Sequence, residues 1–370
     1  MRIRRHLGRP DALQRLARPV LLAFALAALA AGTAQAEDDL RLAIVVPVAG
    51  SAFFDAVQAG CAARVAQLGR DHRTVTCLYG GPGFTLQTAS AAQPYAGEPP
   101  AAAPGGDQGG GQPVVDPGAP AQPTLDGRSE AQIVLDFVAA HVDGIAVSPA
   151  GDPAVSAAIV TAAKAGIPVV TFDSDAAQTA RTAFIGTNAR DFGRALAASL
   201  KRWKPKGGKY VIVSTDPSQP SMAERIYGVR DAIGAGWNEI SDSPVVTTGA
   251  YPDAVTKIDH LLNTYYDVDA IISVGAWPML ATDDWRGMIA RYKARIDKAD
   301  VVLVVADALP AQKDLVRQGL GHVLVGQRPT DMGARAADLL LSLKAGRRVP
   351  EVVYVGFETF TRLDLVGQPN

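Results

Sequence analysis

Two short apolar runs, residues 144–147 and 167–172, flank an Ala-rich stretch over 154–165 in which apolar positions recur at three- and four-residue spacing. The runs are rich in Val and Ile and too short for helices, and Gly166 and Pro168 close the segment between them. That pattern predicts a strand–helix–strand unit with two buried, parallel strands. The alternation continues along the chain. It predicts strands over 41–48, 74–79, 209–214, 245–248, 270–274, 301–305 and 322–325, with helices over 56–68, 191–203, 222–233, 254–265, 311–318 and 332–344. Strands that alternate with helices imply parallel, doubly wound α/β sheets. A chain of 370 residues exceeds one comfortable hydrophobic core, so two lobes are expected.

Composition departs from this rhythm twice. Residues 80–127 are dominated by Gly, Pro, Ala and Gln, with Pro99-Pro100 and Gly109-Gly110-Gly111 among them. So few anchoring side chains cannot offset the ordering entropy, and a disordered insertion is expected, a lid being the alternative. At the N-terminus, Arg2, Arg4, Arg5, Arg9, Arg15 and Arg18 lead into an apolar run over 20–31, and Ala34-Gln35-Ala36 stands just before Glu37. A basic head, a short apolar core and a small-residue exit predict a cleaved signal peptide over 1–36, the core being shorter than a spanning helix needs. Its removal would take the formal net charge from −1 to −6. A mildly acidic exported chain is poorly suited to nucleic acid and suited to small molecules. The two cysteines, Cys61 and Cys77, fall in a predicted helix and the strand after it; they are either bonded, as an exporting compartment permits, or buried as free thiols.

The strand over 167–172 discharges into Asp173-Ser174-Asp175. Ligands of open α/β sheets bind beyond the carboxyl ends of the strands, so two carboxylates there form a platform for a small polar molecule. Enzyme signatures are missing: there is no G-x-S-x-G, H-E-x-x-H or G-x-G-x-x-G, and no catalytic residues, metal or cofactor are expected. Gly207-Gly208-Lys209 is followed by Tyr210, not Ser or Thr, and precedes a strand, so it is not a phosphate loop.

Several stretches together resemble one family. They are Val45-Val46-Pro47 leading to Ser51-Ala52-Phe53-Phe54, the unit DGI…SP…AGIPVVTFDSD, Arg225-Ile226-Tyr227-Gly228, Val304-Val305-Ala306-Asp307, and Val325-Gly326-Gln327-Arg328-Pro329 followed by Met332-Gly333. In this order they resemble the sugar-binding type I periplasmic binding proteins, the ribose- and galactose-binding group. The resemblance implies two Rossmann-like lobes with parallel sheets, 37–187 with 328–356 and 188–327 with 357–370, joined by three hinge crossovers near 187–188, 327–328 and 354–356. It implies a monomeric periplasmic protein that captures a sugar or polyol as the lobes close and delivers it to a membrane ABC permease. A periplasmic sensor subunit that signals to a receptor kinase would share the same cleft. A hydrolase acting on the same ligands is a remoter third reading.

The candidate ligand residues follow from position and from that resemblance. Phe53 and Phe54 stand past the first strand, where aromatic rings offer rigid area to the C–H faces of a sugar or else pack in the core. Ser51 occupies a position where the family commonly has Asn, or simply caps the helix. Asp173 is expected to accept charge-assisted hydrogen bonds from adjacent hydroxyls, with Asp175 a weaker candidate; Ser174 stands where the family frequently has Arg. The resemblance gives Arg225 a fork of donors in the cleft, against a surface ion pair with Glu224. It makes Asp307 the carboxylate of the second lobe, an N-cap being the alternative. Gln327, at a predicted crossover, offers both a donor and an acceptor. Trp277 departs from the family's usual Asn or Asp and is expected to wall the ligand with a ring.

Overall fold

The computed structural model describes residues 39–68, 75–82, 84–88 and 127–366, and the signal peptide expected over 1–36 lies outside them. The first half runs β1 (Leu40–Val45), α1 (Ala52–Leu68), β2 (Val75–Gly81), β3 (Phe84–Thr88), α2 (Glu130–Ala139), β4 (Gly144–Val147), α3 (Pro153–Lys164), β5 (Val169–Phe172) and β6 (Ala183–Gly186). It continues through α4 (Ala189–Trp203), β7 (Gly208–Ser214), α5 (Pro220–Ile233), β8 (Trp237–Glu239), β9 (Val245–Val246), α6 (Tyr251–Thr264), β10 (Ala270–Ser273), α7 (Trp277–Leu280) and α8 (Thr282–Asp297). The chain then forms β11 (Val302–Ala306), α9 (Pro310–Arg317), β12 (Val323–Gln327), α10 (Pro329–Lys344), β13 (Val352–Tyr354), β14 (Phe357–Thr361) and α11 (Arg362–Leu365).

These strands make two sheets. One has the order β13-β6-β5-β4-β1-β2-β3; the other has the order β14-β12-β11-β10-β7-β8, with β9 also on β7. Pairing is parallel except for the edge strands β3 and β14, which pair antiparallel to β2 and β12. Central strands such as β4, β5, β10 and β11 are buried at every residue, the continuous apolar runs of sheets covered on both faces. Helices α1 and α10 cover one face of the first sheet, α2 and α3 the other. On the second sheet α4 and α5 cover one face, α6, α8 and α9 the other. The chain therefore leaves the first sheet after β6, returns after β12, and crosses again between β13 and β14.

Each lobe contains a helix pair that meets at glycines. A Cβ on Gly60 of α1 would strike the Thr330 carbonyl, and one on Gly333 of α10 would strike that of Val57. In the second lobe, Cβ atoms on Gly193 of α4 and Gly228 of α5 would strike the carbonyls of Arg225 and Arg190. Only hydrogen at these four positions lets the backbones touch. A disulfide joins Cys61 of α1 to Cys77 of β2, both buried in the first-lobe core.

The stretch expected to be a disordered insertion begins inside the sheet. Strand β2 runs through Gly81, and residues 84–88 pair back on it with Leu78 opposite Thr88 and Tyr79 opposite Gln87. The chain thus turns back on itself past Gly81-Pro82, a role that suits Gly and Pro as well as a linker does. Residues 89–126 lie outside the described residues. The strand expected over 245–248 shrinks to Val245–Val246, and the helix after it starts early, at Tyr251 with Pro252 in its first turn, where a missing N–H costs nothing.

Candidate ligand-binding site

At the carboxyl ends of both sheets lies a cavity of about 380 Å³. Ser51, Phe53, Phe54, Asp173, Arg225, Trp277, Asp307 and Gln327 all line it. From the first lobe, the first turn of α1 brings Phe53 and Phe54, whose rings meet edge to face at 5.3 Å. Phe54 in turn packs edge-on against Phe172 of β5 at 6.3 Å, so these rings are core and cavity wall at once.

Asp173 follows β5 with φ at +61°, the left-handed region that Asp and Asn tolerate better than other non-glycine residues. Its N–H donates to the Ile185 carbonyl at 2.9 Å. Ser174 also lines the cavity, but it and Asp175 are engaged by the protein's own groups. Ser174 Oγ accepts from the Ala150 N–H at 2.8 Å and lies 3.2 Å from Ser148 Oγ, closing the loop after β4. Asp175, expected to touch ligand, is not among the residues that line the cavity. Its carboxylate accepts a fork from Arg181 at 2.9 and 2.8 Å and a third bond from the Thr171 hydroxyl at 2.7 Å. Arg181 also donates to the Glu351 carbonyl, tying this loop to the start of β13.

The second lobe repeats the device. Asp307 follows β11 with φ at +68°, and its N–H donates to the Val325 carbonyl at 2.7 Å. Gln327 Nε2 donates to its Oδ1 at 2.9 Å. Behind it the fully buried Gln312 donates to the Ala306 carbonyl and accepts from the Leu309 N–H, holding the turn. Arg225, on α5, is 8% exposed; that settles its alternative, because a surface ion pair would leave it in water. Its guanidinium stacks 4.8 Å over the Phe192 ring, and Nη1 donates to the Val274 carbonyl at 2.7 Å. Arg225 Nε is buried without a hydrogen-bond partner among the described residues. It is a donor held ready for an acceptor.

One guanidinium faces two carboxylates. Burial pushes the Asp173 carboxyl up to about 6; the Arg225 charge opposes this, the Asp307 charge reinforces it, and a bond from the Ser148 hydroxyl lowers it again. Burial raises Asp307 too, against Arg225 and the Gln327 bond. The site can therefore accept hydroxyl hydrogen bonds at two opposed carboxylates and donate from Arg225 between them. Among the described residues no cluster of His, Cys, Asp or Glu could hold a metal ion, and no helix is long and apolar enough to cross a membrane.

Sequence reasoning did not single out Ser221, Met222, Tyr251, Leu280 or Leu309, which also line the cavity. Ser221 and Met222 lie four and three residues before Arg225 on α5, hence on its face, a signal that was readable. Tyr251 follows β9, a two-residue strand too short to announce the carboxyl end that places it.

Residues 108–348 match the family model described as periplasmic binding protein domain. The chain is 22% identical over 234 residues to the ribose import binding protein of Bacillus subtilis, covering 62% of this chain and 72% of that one. AraP, an arabinose binding protein from Geobacillus stearothermophilus, has a TM-score of 0.68 at 20% identity over 88% of this chain and 98% of its own. A solute binding protein of Burkholderia graminis in complex with D-arabinose has a TM-score of 0.67 at 20% identity over 90% and 99%. At such identities these structures share the fold.

Proposed function

The chain belongs to the periplasmic binding protein domain family, and from that premise we propose that it captures a monosaccharide or polyol between its lobes and hands it to an ABC import permease. The observation that carries this reading is the meeting of Asp173 and Asp307, each from the end of a strand in a different sheet, in one cavity with the buried Arg225. Vicinal hydroxyls are the ligand groups that satisfy opposed carboxylates as donors and an arginine as acceptors in one small volume. Phe53, Phe54 and Trp277 supply rings for the C–H faces; Gln327 and Ser51 add polar contacts.

In this reading the lobes are 37–187 with 328–356 and 188–327 with 357–370, and the three connections between the sheets are hinges that close over the ligand. The protein is exported to the periplasm by a signal peptide over 1–36, acts as a monomer and performs no covalent chemistry. A ligand-stripped sample screened by thermal shift against pentoses, hexoses, deoxysugars and polyols tests the reading. A ligand at a hundred times its Kd adds about 2.7 kcal/mol of stability. Recovery of the ligand unchanged after incubation, and co-purification with a permease in place of a receptor kinase ectodomain, test the remaining parts. A melting point that none of these compounds raises would sink the proposal.

A further inference from the structure

The cavity is lined by charged, hydroxyl and apolar side chains, the hydroxyls being those of Ser51, Ser174, Ser221 and Tyr251. Asp173, Arg225, Asp307 and Gln327 supply its charged and amide contacts, while Trp277 and Leu280, just past β10, and Met222 of α5 line it with apolar side chains. The backbone of that wall is already engaged. The Val274 carbonyl accepts from Arg225 at 2.7 Å, the Gly275 carbonyl from Ser273 Oγ at 2.7 Å, and the Ala276 carbonyl from the Met279 N–H at 3.0 Å. The indole of Trp277 lies across Gly275 so closely that any Cβ at 275 would overlap its six-membered ring. Trp277 and Met222 also pack against the buried cluster of the second lobe. This wall is therefore fixed in place and apolar, and its three consecutive carbonyls already have donors. A ligand hydroxyl pressed against it gives up water and finds no carbonyl without a partner, whereas a C–H or methyl group gains contact.

We infer that the ligand is a deoxysugar, a monosaccharide with one hydroxyl replaced by hydrogen, seated with that carbon against Trp277, Met222 and Leu280. The inference rests on the sugar reading and narrows it. An apolar wall disfavours an added hydroxyl by about ten- to a hundredfold. The full chain, stripped of ligand, is titrated calorimetrically with three pairs: fucose and galactose, rhamnose and mannose, 2-deoxyribose and ribose. In at least one pair the deoxysugar is expected to bind tenfold or more tightly than its parent. Trp277→Phe keeps that preference, because it keeps the wall without the indole N–H; Trp277→Asn erases or reverses it. The wild-type comparison stands alone if Trp277→Asn folds poorly, a matter its melting curve decides. Parent sugars that bind as tightly as their deoxy partners, or an unchanged preference in folded Trp277→Asn, overturn the inference and leave the sugar reading standing. Binding of neither kind of sugar overturns both.

Discussion

Asp173 and Asp175 are two residues apart and do different work. Asp173 faces the cavity with a carboxyl raised to about 6 by burial, while Asp175 is held by Arg181 and Thr171. A raised carboxyl means that the empty protein is relieved of a buried charge as pH falls through about 6. Ligand hydroxyls, by contrast, need the ionised form as acceptor. Affinity measured calorimetrically between pH 8 and 5 is therefore expected to fall below pH 6 while the melting point of the empty protein gains from protonation of the buried Asp173. Asp173→Asn should lower affinity at least tenfold at pH 7.5 and flatten its pH dependence; undiminished binding would mean that Asp173 only shapes the turn. Asp175→Asn should leave Kd within about threefold and cost roughly 1–3 kcal/mol in a denaturant titration, the usual loss for breaking a bonded charge pair. The acid triplet marked the place but not this division of labour. What withdraws Asp175 is Arg181, six residues on, and no local pattern announces an arginine that folds back.

The elements that carry the site are set by close approach. Arg225 owes its depth to Gly193, over which its own carbonyl lies as α4 and α5 touch. Gly193→Ala should push the helices apart, cost about 1–3 kcal/mol as overpacking does, and weaken ligand binding at a distance from the ligand. A Kd unchanged in that variant would show that the depth of Arg225 does not depend on the crossing. On the other lobe, the Cys61–Cys77 bridge spans a separation of 16 residues and fastens α1, the carrier of Phe53 and Phe54, to β2. Replacing both cysteines by Ser should cost about 3 kcal/mol in the chain-entropy account, visible in denaturant melts with and without reductant. The central strands were legible because burial on both faces leaves an unbroken apolar run. Edge strand β3 was not, since a hairpin turn of Gly and Pro shares its composition with a linker.

At the scale of the molecule, the two sheets end in matching residues. Asp173 and Asp307 each follow an inner strand, each take a positive φ, and each anchor an N–H on the neighbouring strand. One general rule, ligands beyond strand carboxyl ends, located Asp173, and the family resemblance pointed to Asp307, whereas Ser221, Met222 and Tyr251 depend on how helices are placed around them. A ligand bonded from both lobes should favour a closed arrangement. Small-angle scattering of the empty and saturated protein is expected to give a smaller radius of gyration with ligand, and Asp307→Asn should reduce both the contraction and the affinity. An identical radius in the two states would separate binding from closure.

The left-handed backbone at those two positions also limits what can replace them. A β-branched or bulky residue would be strained there, whereas Asn keeps both the conformation and the outline of the side chain. Exchange of Asp for Asn at either site therefore edits the electrical sign of the cavity and spares its shape. With both exchanged, Arg225 would be left as the sole charge lining the chamber, which would turn receptive to anions. Its descendants could thus change clientele through two single-letter steps, with no rebuilding of the sheets that hold them.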